Sequence, residues 1–216
     1  MRNFAVILSG CGFKDGTEIT EAVSTLIALK KMGANYEVFS LDKIVASTNH
    51  LSDETLGEQN LLEASARITR GKIKRLEELN SEPFDAIIFP GGFGAALHLC
   101  DFAKKGAACS VDPVVEKIVN LFYEESKPIG AFCIAPALIA KILGKHNPVL
   151  TIGNDEATAK EIEKTGASHV VCEVTDYTTD RESKLVTTPA YMYDEADAFE
   201  VYTGIERAVK ELVEMA

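Results

Sequence analysis

The sequence predicts an open, mostly parallel, doubly wound α/β sheet with a late β-hairpin. Short continuous apolar runs recur at residues 4–8, 36–39, 85–89, 129–132 and 149–152, as expected of strands buried on both faces. Between them lie segments whose apolar residues fall three or four apart, the mark of helices packed along one side. Near the end, runs at 170–174 and 185–188 flank the polar turn Asp180-Arg181-Glu182-Ser183, which reads as a hairpin. Alternating strands and helices imply a parallel sheet covered on both faces.

The elements follow in order. MRNFAVILSG has a short basic start, but its apolar stretch covers only residues 4–8, too short for a signal peptide, and reads as the first strand. Ile19, Ala22, Val23, Leu26 and Ile27 give the first helix, which Gly33 can end. After the strand at 36–39, residues 43–82 are longer than a crossover needs and read as an insertion with a helix near 58–66. The strand at 85–89 enters Pro90-Gly91-Gly92. Asp112 and Pro113 are an N-cap and first-turn pair for a helix carrying Val115, Ile118, Val119 and Phe122. The strand at 129–132 leads through Cys133 into a helix at 137–143 stopped by Gly144. A strand at 149–152, a helix at 155–165 and a last helix bearing Val201, Ile205, Ala208, Val209 and Leu212 complete the chain. The 216 residues suit one domain, 1–216, with the insertion at about 43–82.

Composition excludes several classes. A net charge of −11 and a pI near 4.9 oppose binding to phosphate backbones, so no nucleic-acid partner is expected. No apolar run approaches the roughly 18 residues of a membrane span. The five cysteines, at 11, 100, 109, 133 and 172, are odd in number and form no CxxC pair. That argues against a disulfide framework or a structural metal, and for a reduced, cytoplasmic setting. Gly10 and Gly12 begin a dinucleotide-like fingerprint, but the third glycine is displaced to 16 and no acidic residue closes the second strand. A Walker A loop is missing as well, so no cofactor is expected.

In such a sheet ligands bind beyond the carboxyl ends of the strands. Segments 9–16, 90–94 and 133–136 leave such ends. Cys133 stands between a strand and a helix, the order of a nucleophile elbow, where a helix N-terminus lowers a thiol pKa. The alternative is a small buried hydrophobe. Pro90-Gly91-Gly92-Phe93-Gly94 reads either as a tight turn or as a source of backbone N–H groups for an oxyanion. Glu18 opens the first helix as an acid facing the crevice or as part of a capping box with Asp15. Cys11 reads as a second thiol or a small turn residue. None of His50, His98, His146 and His169 adjoins Cys133, and a remote histidine partner stays open. Arg67, Arg70, Lys72, Lys74 and Arg75 are a solvated face paired with Glu77 and Glu78, or an anion site.

Taken together, VILSGCGFKDGTEITEA, ARITRG, FPGGFGAA, FCIAPA, LTIGND and VTTPAYM resemble the ThiJ/PfpI superfamily of class I glutamine amidotransferase-like, flavodoxin-like domains. More closely they resemble its ElbB group, described as isoprenoid-biosynthesis or enhancing-lycopene-biosynthesis proteins. The resemblance runs nearly end to end. It implies Cys133 as nucleophile, Glu18 as the acid contacting the thiol, and the N–H groups of Gly92 and Ile134 as oxyanion donors. It also implies cofactor-free turnover of glyoxal or methylglyoxal to a hydroxy acid, a small-molecule aldehyde partner and a homodimer. Many relatives carry a histidine directly after the cysteine, where this chain has Ile134, and others on the next strand, where LTIGND has none. Peptidase and glutaminase activity are therefore not carried over. Two other classes stand beside the enzyme: a cysteine redox sensor held by Glu18, and a non-catalytic regulatory protein whose crevice binds a metabolite.

Overall fold

The computed structural model describes residues 1–216. Strands β1 (Asn3–Leu8), β2 (Asn35–Ser40), β5 (Lys74–Arg75), β6 (Ala86–Phe89), β7 (Ile129–Phe132), β10 (Thr178–Asp180) and β11 (Leu185–Thr188) form one sheet in the order β10-β11-β7-β6-β1-β2-β5. Every pairing is parallel except β10 with β11. The doubly wound sheet and its late hairpin are thus as the sequence predicts. Strand order reverses between β1 and β6, so the loops after these two strands splay apart and leave a crevice at their carboxyl ends.

The apolar runs are continuous because both faces are covered. Phe4, Val6 and Leu8 of β1 pack under α1 (Ile19–Lys31) and α7 (Ala198–Met215). Ala5 and Ile7 face α4 (Pro113–Glu124), which follows the single-turn α3 (Phe102–Lys105), and α5 (Ala135–Leu143). Burying a large apolar side chain contributes about 1.5–3 kcal/mol, and the two clusters are large. Asp112 caps α4 by accepting from Val114 N at 3.1 Å, with Pro113 in the first turn. Gly130 lets α7 sit directly on β7: a Cβ there would lie 2.6 Å from Leu212 Cδ1.

Three expectations shift. The insertion begins with an antiparallel hairpin, β3 (Ile44–Thr48) and β4 (Thr55–Asn60), before helix α2 (Leu61–Thr69). Its residues are mostly exposed and polar, so no apolar alternation announces it. The strand at 149–152 shrinks to β8 (Val149–Leu150), which pairs in parallel with β9 (Ser168–His169) outside the main sheet. The hairpin partner of β11 is β10, not residues 170–174, where Val171 is 71% exposed.

The hairpin and α2 lean on the loop after β1. Asp15 accepts from Thr48 N, Gly10 N donates to Ser65 Oγ at 2.9 Å, and the Phe13 ring meets His50 edge-on at 5.5 Å. These contacts hold a loop that would otherwise project into solvent.

Candidate active site

Cys133 follows β7 and adopts φ 57°, the left-handed region, which a side chain occupies at a cost of order 1–3 kcal/mol. Its N–H donates to Thr188 O at 3.0 Å, so β11 fixes the turn. Helix α5 starts at Ala135 with Pro136 in its first turn, and its positive end meets the thiol. Strand, strained turn and helix together make an elbow that displays Sγ. The side chain is only 7% exposed.

The three loops meet here. Phe93 N donates to Phe13 O at 2.7 Å, Gly94 N to Gly16 O at 2.9 Å and Glu18 N to Gly91 O at 3.0 Å. Glycines at 91 and 92 allow the approach. A Cβ on Gly91 would run into Cys133 Cβ and stand 2.7 Å from Glu21 Oε2, and one on Gly92 (φ 92°) would run into Glu18 N and Gly16 O. The N–H groups of Gly92 and Ile134 face Sγ and favour its ionised form.

The acid against the thiol is Glu21, not Glu18. Glu18 caps α1, its Oε2 accepting from Glu21 N at 2.7 Å, so its carboxylate is turned along the helix start and onto the crevice wall. It is its own N-cap; Asp15 takes no part in a capping box with it. One turn on, Glu21 lies on the inward stripe with Thr25 and Ala28 and is fully buried. Oε2 accepts from Gly91 N at 2.8 Å and Oε1 from Tyr191 N at 3.3 Å. Burial, and then the charge of Glu18, push its pKa up to about 8. Burial likewise raises Glu18 above the usual carboxylate range. Burial and the Glu21 charge also push the Cys133 thiol up.

The thiol and the carboxyl lie against each other and act on each other's ionisation: the Glu21 charge opposes a Cys133 thiolate, and the thiol favours the Glu21 carboxylate. The Gly91 and Tyr191 N–H groups favour the carboxylate, whereas the Gly92 and Ile134 N–H groups favour the thiolate. With one proton between them, either tautomer carries a single negative charge, so moving that proton across leaves the net charge of the pocket unchanged.

The crevice in front of Sγ encloses about 600 Å³, the size of a small-molecule site. Phe13 and Phe93 flank its mouth, and Tyr191, Met192 and Asp194 come from the loop after β11. Asp155 and Thr158 come from the start of α6 (Glu156–Glu163), where Thr158 Oγ1 donates to Asp155 and holds that carboxyl below the usual range. The β11 loop escapes sequence reasoning because VTTPAYM reads only as a strand end. Its one signal is Pro189-Ala190, and Ala190 takes φ 46° to aim Tyr191 N at Glu21.

No histidine lines the crevice. His98 Nε2 lies 3.0 Å from Asp15 O, His50 braces Phe13, His146 packs on Tyr123 and His169 lies in β9. The basic cluster is partly paired, but with other acids than expected: Lys74 with Glu37 at 2.6 Å and Arg75 with Asp42 at 2.9 Å. Cys11 is half-buried within the loop after β1. No helix is long and apolar enough to cross a membrane.

No protein-family model matches the chain. It is 40% identical over 226 aligned residues to the human protein "Glutamine amidotransferase-like class 1 domain-containing protein 3, mitochondrial", covering 98% of this chain and 82% of that one. A crystal structure of an isoprenoid biosynthesis protein with amidotransferase-like domain from Ehrlichia chaffeensis superposes with TM-score 0.93 at 33% identity, covering 100% of this chain and 99% of that one. Schizosaccharomyces pombe DJ-1 shares the fold, with TM-score 0.58 at 18% identity over 99% of this chain and 92% of its own. The human relative is a mitochondrial protein by name, which overturns the cytoplasmic setting read from the cysteines. The lack of a disulfide framework does not say which compartment holds a chain. The chain belongs to the glutamine amidotransferase-like class 1 domain proteins.

Proposed function

We propose that the chain is a cofactor-independent cysteine enzyme that converts reactive α-oxoaldehydes to hydroxy acids, in the ElbB group of the ThiJ/PfpI superfamily. The observation that carries this reading is the Cys133–Glu21 pair at the crevice floor, with two backbone N–H groups facing Sγ. Likeness to the Ehrlichia isoprenoid biosynthesis protein over the whole chain supports the group.

The thiolate, its proton on Glu21, attacks the aldehyde carbon. Gly92 N–H and Ile134 N–H hold the resulting oxyanion until it takes a proton and becomes a hemithioacetal hydroxyl. Glu21, now ionised, removes the C1 proton, and a proton returned to C2 turns the enediolate into a 2-hydroxy thioester. Water cleaves the thioester, releasing the hydroxy acid and restoring the thiol. Atoms balance as oxoaldehyde plus water to hydroxy acid. A carboxyl shuttling protons contributes roughly 10²–10⁴-fold, so without a histidine a modest turnover is expected.

The test is hydroxy-acid formation from glyoxal and methylglyoxal by the wild type and by Cys133→Ser. Turnover lost in Cys133→Ser supports the reading. Equal turnover in the two, or none in a folded wild type, removes it. In the latter case, peroxide-dependent gain of one or two oxygens at Cys133, seen by intact mass, would support a redox sensor instead.

A further inference from the structure

We infer that Asp155 and Asp194 make the crevice selective by charge, admitting neutral or cationic carbonyl compounds to Cys133 and turning away carboxylates and phosphates. This rests on the proposed nucleophile and names the substrate class of the same site. The crevice lining contains three carboxylates, Glu18, Asp155 and Asp194, and not one lysine, arginine or histidine. The hollow adjoining it at Asp194 continues the pattern with Glu195 and Glu200, again without a cation. The nearest lysine on the flanking loop, Lys14, is paired with Asp53, and Lys43 is paired with Asp112 at 3.1 Å.

Position adds to sign. Asp155 is the N-cap of α6, its Oδ1 fixed by Ala157 N at 3.1 Å, so its charge stays in place at the wall. Asp194 is exposed, lines the crevice and forms no salt bridge, so no cation in the lining offsets its charge. A cleft lined by one sign of charge changes the encounter rate with charged solutes by about 10–10³-fold, and a whole-chain charge of −11 adds in the same direction. The apolar parts of the lining, Phe13 and Phe93 at the mouth and Met192 within, leave the carbonyl substituent free to be an alkyl or aromatic group.

Charge also bears on release. A neutral oxoaldehyde enters without cost, whereas the hydroxy acid leaves as an anion repelled by the same side chains. A 2-oxo acid, or the α-carboxylate of free glutamine, meets no counter-ion anywhere on the wall. The reaction that supplies this site must therefore yield an uncharged or amine-bearing carbonyl compound.

The experiment is thiol labelling, which needs no turnover and so fails or succeeds independently of the enzyme reading. Full-length protein with the half-buried Cys11 and Cys172 replaced by serine is treated with cationic 2-aminoethyl, neutral methyl and anionic 2-sulfonatoethyl methanethiosulfonates. In each, Cys133 sulfur bonds to the sulfenyl sulfur and methanesulfinate leaves. Rates at Cys133 are followed by mass and divided by those of free 2-mercaptoethanol. The cation should lead the anion by about tenfold or more at low salt, a gap that 1 M NaCl narrows. Asp155→Asn/Asp194→Asn should cut the gap severalfold, asparagine keeping the helix cap. A normalised anion rate equal to the cation rate, or a gap unchanged in the double variant, overturns the inference.

Discussion

Glu21 and Cys133 lie against each other across Gly91, whose N–H binds Glu21 Oε2 at 2.8 Å and whose missing side chain leaves the space they share. Glu18, three residues earlier, is the cap of the same helix and reaches the pair through its charge. The two acids therefore predict separable phenotypes. Glu21→Gln removes the proton carrier and should lower oxoaldehyde turnover by roughly 10²–10⁴-fold. Glu18→Gln should cost far less and should move the pH midpoint of Cys133 alkylation by iodoacetamide downward, because its charge no longer holds the pair up. Equal losses in both variants, with no shift in the alkylation midpoint for Glu18→Gln, would contradict the division.

Burial of Glu21 also makes stability depend on pH. Its folded pKa is raised to about 8, while an unfolded glutamate titrates near 4.3. Between those values the folded chain holds a proton that the unfolded chain has released, so stability falls as pH rises, by at most about 1.4 kcal/mol per pH unit. Above about pH 8 the contribution is flat. His98 and His169 are lowered by burial and contribute the opposite slope near their unfolded pKa, since there the unfolded chain binds the extra proton. The difference between wild type and Glu21→Gln isolates the carboxyl. Urea midpoints at pH 5, 6.5 and 8 should show the variant gaining on the wild type as pH rises; parallel curves would mean that Glu21 is ionised throughout.

What was legible in the sequence follows from burial. β1 reads as a strand because Phe4 to Leu8 are covered on both faces, and the hairpin reads from its turn. β10 does not, since Thr178, Thr179 and Asp180 are half-buried edge residues with no apolar signature. Of the site, the elbow at Cys133 and the glycine loop were readable as local patterns. Glu21 was hidden by its more conspicuous neighbour: Glu18 sits at a loop end where an acid looks functional, while Glu21 looks like an ordinary helix residue. The one clue was register, because Glu21, Thr25 and Ala28 share the face that a helix turns inward. Tyr191 and Asp155 reach the crevice from distant segments, and no local pattern encodes that.

The glycine between the pair makes a third prediction. In Gly91→Ala the new methyl would collide with Cys133 Cβ and come within 2.8 Å of Phe132 O. Both neighbours are fixed by β7 and the elbow, so relief requires the loop to move. Overpacking of this kind costs about 1–3 kcal/mol. The variant should unfold at lower urea, and its Cys133 should label faster with neutral iodoacetamide as the carboxyl is pushed off the thiol. Wild-type stability and wild-type labelling together would mean that the loop does not press on the pair.

The strand that carries the elbow offers a fourth test, independent of chemistry. Gly130 in β7 faces α7, and a Cβ there would stand 2.6 Å from Leu212 Cδ1 and 3.3 Å from Ile88 Cγ1. Gly130→Ala should therefore destabilise the fold by about 1–3 kcal/mol. The nearest obstacle is the tip of one side chain, so a shorter residue in α7 should make room. Leu212→Ala alone leaves a cavity in a fully buried site and costs about 2–5 kcal/mol. Combined with Gly130→Ala, part of that cavity is filled, and the double variant should be more stable than the sum of the two single losses by about 0.5–3 kcal/mol. Additive losses in the urea cycle would mean that the helix shifts as a body instead, which would show as reduced labelling of Cys133 at the end of the same strand.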